Sequence, residues 1–141
     1  MRESFIDPGY GEHYWMVFPG SGSCLDSLSG IVPVRVLFCL MPRVEFNTGH
    51  VSLNSSRKSV LLSELGMSDQ MFSRAIRLLC RDNILCPVMY ADRRTGEERI
   101  SRGDYMVNPA FFWRGLLRSR NKVLEEYNDI RSRYEFNVLK K

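Results

Sequence analysis

Four side chains in the stretch SDQMFSRAIRLL, residues 68 to 79, have the types and spacing that reading a nucleic acid requires. Gln70, Ser73, Arg74 and Arg77 fall along one stripe if the segment is helical, because positions three and four apart share a helix face. A glutamine amide can bridge N6 and N7 of adenine, and an arginine fork can take O6 and N7 of guanine. A serine hydroxyl reaches either bases or phosphate. Ser68 precedes the first helical position, where its hydroxyl caps the helix and the unpaired N–H groups of the first turn can receive a phosphate oxygen. Asp69 suits the helix dipole but not a neighbouring phosphate, so it reads as a helix-start residue. Two further basic sites accompany this stripe: Arg57 and Lys58 ahead of it, and Arg93, Arg94 and Arg99 behind it.

Hydrolytic and metal-dependent chemistry find no comparable footing. The chain has two histidines, His13 and His50, far apart in sequence, and no Gly-x-Ser-x-Gly. Strand nicking of the rolling-circle kind needs a metal-holding histidine pair beside a nucleophilic tyrosine, and two isolated histidines do not supply it. Glu97-Glu98 and Glu125-Glu126 read as solvated surface. The glycines of PGSGS lack the following Gly-Lys-Ser/Thr of a phosphate loop and read as a connector. Cys24, Cys39, Cys80 and Cys86 have no metal-type spacing and sit in apolar surroundings, as reduced thiols do. The expectation is a binding protein with no catalytic residues, no metal and no cofactor.

The elements that must position the stripe follow from periodicity and punctuation. The apolar run VPVRVLFCLM predicts a helix over about Pro33 to Met41, although its β-branched residues also allow a strand; Pro42 stops it. NTGHVSLN predicts a turn and a short extended piece. Asn54, Ser55 and Ser56 offer N-cap oxygens for a second helix through Leu65, with Leu61, Leu62 and Leu65 inward. Gly66 can take the left-handed conformation that ends it, making Leu-Gly-Met-Ser a tight inter-helix turn. In the third helix Phe72, Ala75, Ile76 and Leu79 form the buried face, and Asn83 ends it. ILCPVMYA and ERISRGDYMVN are β-prone runs on either side of DRRTGE, a hairpin tip, with an edge or bulged position expected at Cys86-Pro87. AFFWRG, after Asn108-Pro109, reads as a structural aromatic cluster, and the remaining residues as a charged amphipathic helix to about Tyr134 with a basic tail.

Helix, short strand, helix, turn, helix and basic hairpin is the order of a winged helix-turn-helix. The predicted fold class is therefore α+β, a winged helix-turn-helix with a C-terminal amphipathic helix. Residues 1–30 form an N-terminal extension in which HYWMVF adds a short aromatic strand or lid, 31–115 the DNA-binding domain, and 116–141 the C-terminal helix and tail. A net charge of +4 is too small to identify a polyanion partner by itself, but its distribution is uneven. Residues 1–56 carry three basic against five acidic side chains, residues 57–102 nine against six, and residues 114–141 eight against four. No run reaches signal-peptide or membrane-spanning length, so the expectation is a soluble cytoplasmic protein with no membrane partner.

Residues 31 to 115 also carry a resemblance. The turn Leu65-Gly66-Met67-Ser68 inside HVSLNSSRKSVLLSELGMSDQMFSRAIRLLCRDNILCPV, the basic hairpin, and above all YMVNPAFFWRG resemble the RepL-type plasmid replication proteins, a winged-helix family. The resemblance implies origin or operator recognition in a plasmid or phage setting, with base reading at Gln70, Ser73, Arg74 and Arg77 and hairpin contacts at Arg93, Arg94 and Arg99. It also makes replication or transcription proteins candidate partners. A homodimer is expected because one helix-turn-helix reads only a short half-site. The candidate interface is the seam of Val123, Tyr127, Ile130 and Tyr134, a stripe equally able to pack inside its own subunit. Two alternatives stand beside replication: a transcriptional repressor or autoregulator, and a protein-interaction module using the same scaffold.

Overall fold

Asn54 and Ser68 show how local chemistry sets the helical part of the chain. In the computed structural model, which describes residues 15–18 and 30–139, the Asn54 side chain accepts the backbone N–H of Arg57 and opens a helix at Ser55. The Ser68 hydroxyl accepts the N–H of Met71 and opens the next at Asp69. Between them Gly66 sits at φ 63°, ψ 39° and ends the first of the two helices in the left-handed region.

Four α-helices and two small antiparallel sheets make up the described residues. Helix α1 is Val32–Leu40, with Pro33 in its first turn, and a 3-10 turn over Met41–Arg43 follows it. The ambiguous apolar run is thus a helix. Helices α2 and α3 are Ser55–Leu65 and Asp69–Arg81, and Asn83 beyond them takes a positive φ. Strands β1 to β5 are Met16–Val17, His50–Ser52, Leu85–Ala91, Glu98–Val107 and Phe112–Trp113, and α4 is Leu117–Tyr134, continued by a π-helical turn over Glu135–Leu139. The larger sheet has the order β2-β4-β3, and β1 pairs with β5. HYWMVF does contribute a strand, although His13 and Tyr14 lie outside the described residues.

Pro87 leaves its mark on the hairpin. The β3–β4 ladder pairs Pro87 with Tyr105 and then Met89 with Ile100, so one residue of β3 faces four of β4, Ser101 to Asp104. A proline has no N–H to give to a ladder, and a bulge is the usual accommodation. The strand is not shortened, because pairing resumes and runs to Ala91 opposite Glu98.

One hydrophobic core joins the elements. Val36, Leu37 and Leu40 of α1, Phe72, Ile76 and Leu79 of α3, Leu85 of β3, and Tyr127, Ile130 and Tyr134 of α4 belong to the same buried cluster. Residues 117–134 are therefore a structural member of the core and not an appendage to it. Phe112 and Trp113 are buried, and the Trp113 indole donates to the carbonyl of Leu116. That is the structural role read from the aromatic cluster. Among the described residues no helix is long and apolar enough to cross a membrane.

Candidate nucleic-acid interface

Burying Phe72, Ala75, Ile76 and Leu79 turns the opposite side of α3 outward. Gln70, Arg74 and Arg77 are exposed and Ser73 is half-buried at the edge of that face. No ion pair or hydrogen bond engages the guanidinium of Arg74 or Arg77 among the described residues. Met71, 46% exposed, stands next to them. Periodicity gave no reason to single it out, yet a thioether at this place can pack on a thymine methyl.

Beside α3 lies an open groove of about 730 Å³ in which Lys58 of α2, Ser73 and Arg77 of α3, and Arg102 of β4 come together. Three chain segments meet there because of backbone bonds: the N–H of Leu53, just ahead of α2, donates to the carbonyl of Gly103 at 2.7 Å. None of the groove's lining residues is acidic. Lys58 is the partial exception to a free positive surface, since its ammonium pairs with Asp69 at 2.6 Å and lies 5.9 Å from the Phe72 ring centre. An exposed ion pair of this kind is worth about 0–1 kcal/mol and gives way readily to a stronger anion.

The remaining sequence-derived residues are spread around this site. Ser68 caps α3. Arg57 is exposed at the start of α2 and donates to the Ser52 carbonyl at 3.1 Å. Arg93 and Arg94 are exposed in the turn between β3 and β4, outside the groove. Arg99 flanks the hairpin tip with its charge compensated. It lies within β4 opposite Tyr90, and its guanidinium approaches Asp92 at 3.3 Å and Glu97 at 3.5 Å. Two carboxylates balance its charge, and only the folded turn brings them to it. Arg102, unremarkable in sequence, is the cation the groove adds. The one available signal was the Arg-Gly pair within a β-prone run, since a strand glycine often marks a bulge.

The C-terminal helix braces the far end of α3. Arg131, 7% exposed, donates to the carbonyls of Cys80 and Arg81 and to Glu135, satisfying acceptors that the end of a helix leaves open. The Tyr127 hydroxyl donates to Asn83 Oδ1 at 2.8 Å, and Arg133 pairs with Glu98 at the start of β4. Of the two readings of the seam, the same contacts support packing within its own subunit. Tyr127, Ile130 and Tyr134 are buried within their own chain and Val123 packs partly against the same core, because α4 folds back on β3. Cys80 and Cys86 lie in this packed region, and burial pushes both thiols up to about 12. Cys39, Cys80 and Cys86 are free, and Cys24 lies outside the described residues.

A second groove, about 1020 Å³, runs between β2 and α4. His50 is not isolated there: its Nε2 is 3.4 Å from Glu126. Glu45, Asp104, Glu125 and Glu126 line it together with Arg118 and Lys122, so its charges are mixed and it offers a polyanion no continuous surface. Among the described residues no group of three or more His, Cys, Asp or Glu side chains is placed to hold a metal ion. Comparison with protein families, curated proteins and solved structures gives no match to this chain.

Proposed function

We propose that this chain is a non-catalytic, sequence-specific binder of double-stranded DNA, built as a winged helix-turn-helix and acting in plasmid or phage replication initiation or its control. In this reading α3 lies in the major groove, with Gln70, Arg74 and Arg77 toward base edges, while the β3–β4 hairpin is the wing and carries Arg93 and Arg94 to the flanking backbone. The observation that supports it most is the pairing of two exposed arginines on α3, unpartnered among the described residues, with a carboxylate-free groove directly beside them. A merely solvated helix face has no need of that neighbour. The link to replication rests on the RepL-type resemblance.

Selection of bound fragments from a random duplex pool is the direct test. An enriched motif is expected, and affinity for it should fall steeply with salt: about five phosphate contacts cost on the order of 10³-fold between 50 and 200 mM. Replacing Arg74 or Arg77 by alanine should cost about 1–3 kcal/mol on the selected site and relax preference at one base pair. Absence of enrichment, or equal losses on selected and random duplex for both variants, removes base reading by this helix.

A further inference from the structure

The bulge next to Pro87, opposite Val88, shapes the interface as well as accommodating a proline. Ser101, Arg102, Gly103 and Asp104 loop out of the β3–β4 ladder, and two hydrogen bonds hold the loop against the segment entering α2. Leu53 donates to the Gly103 carbonyl at 2.7 Å. Gly103 stands at φ +81°, where a Cβ would lie 2.5 Å from the Leu53 carbonyl oxygen. The Asp104 carboxylate accepts the hydroxyls of Ser101 at 2.6 Å and Ser52 at 2.8 Å, and these bonds hold its pKa below the ordinary carboxylate value. Arg102 is exposed, yet its backbone is anchored on both sides.

We propose that this bulge builds a seat for one phosphodiester group of a DNA duplex, with Arg102 as its fork and Lys58 and Ser73 as its walls. The proposal rests on the DNA-binding reading and adds a residue and a contact to it. Arg102 and Arg77 line the same groove from opposite elements, with no acidic group among the lining residues. A guanidinium fork matches phosphate oxygens in pairs, which favours an oxyanion over a simple halide. Lys58 can exchange Asp69, its exposed partner at 2.6 Å, for the incoming anion. The groove is recessed beside α3, whereas Gln70 and Arg74 lie outside its lining. A backbone phosphate belongs at the flank and base edges belong at the ridge, so the seat sets register and carries no sequence information.

The test compares Arg102→Gln with the unaltered protein on the selected site and on random duplex across a salt series, with thermal unfolding as the check on folding. The expected result is an unchanged melting temperature and a loss of affinity on the order of ten-fold on both duplexes. The slope of log affinity against log salt should also become shallower by about 0.9. Arg102→Lys, which keeps the charge but not the fork, should restore the slope and only part of the affinity. An unchanged slope in Arg102→Gln, with Arg74→Ala and Arg77→Ala still impaired on the selected site, overturns the seat and leaves base reading intact. A loss confined to the selected site makes Arg102 a base reader and overturns it equally. Saturable binding of inorganic phosphate at low millimolar concentration, followed through the arginine Nε–H signals, identifies a free-phosphate pocket instead. Failure of the unaltered protein to bind any duplex removes the DNA-binding reading itself and the seat with it.

Discussion

A methyl group on Gly103 would meet the carbonyl oxygen of Leu53 at 2.5 Å, from a backbone already at φ +81°. Both the contact and the left-handed conformation oppose any L side chain. Gly103→Ala is therefore expected to lower stability by roughly 1–3 kcal/mol, measured by denaturant unfolding. Because the Leu53 to Gly103 bond holds the entrance of α2 against β4, the same variant should weaken duplex binding under conditions where it remains folded. A Gly103→Ala protein as stable as the parent would show that this junction is looser than the close approach implies. At this scale the sequence was only partly legible. Arg74 and Arg77 announced themselves by spacing. Arg99 and Arg102 did not separate, since both are arginines in one β-prone run. What distinguishes them is that Asp92 and Glu97 reach Arg99 while Arg102 lies in a carboxylate-free groove.

The helical elements were the most legible part of the chain, because caps, turn glycine and apolar period are all local. Ser68 has two duties in α3 that one pair of substitutions separates. Its oxygen accepts the N–H of Met71 at 3.2 Å, and it stands where the positive end of the helix would face DNA. Ser68→Ala should cost about 1 kcal/mol of stability through loss of the cap. Ser68→Asp should keep the cap and the stability but place a negative charge at the interface, so that duplex affinity falls while the melting temperature does not. If Ser68→Asp binds duplex as well as the parent does, the start of α3 lies away from the phosphates. The strands were legible as β-prone runs, and Pro87 as an irregularity among them. The size of the bulge was not, because it depends on which residues of β4 pair with Leu53 and Ser52 rather than with β3.

For the whole molecule the place of α4 is what spacing left open between two surfaces. Val123, Tyr127, Ile130 and Tyr134 have the spacing of a helix–helix seam, but they close over β3 inside one chain. Deleting residues 117–141 should thus expose the core and abolish a cooperative thermal transition, rather than release an intact domain. Tyr127→Phe, which loses the bonds to Asn83 Oδ1 at 2.8 Å and to its carbonyl at 3.2 Å, should cost about 1–3 kcal/mol. Its sedimentation should match that of the parent protein. A change from dimer to monomer in that variant would place the ring in an intersubunit contact and overturn the assignment.

Residue order alone determined the two helices from Ser55 to Arg81, the capped turn between them, the β3–β4 hairpin and the outward set on α3, because each depends on neighbours a few positions away. Only the tertiary structure decided what α4 covers, which arginines keep an uncompensated charge and where Arg102 stands. Those outcomes rest on contacts between residues such as Arg131 and Cys80, 51 positions apart. Spacing along a chain cannot encode which distant surface a side chain will meet, and burial and charge balance are properties of that meeting.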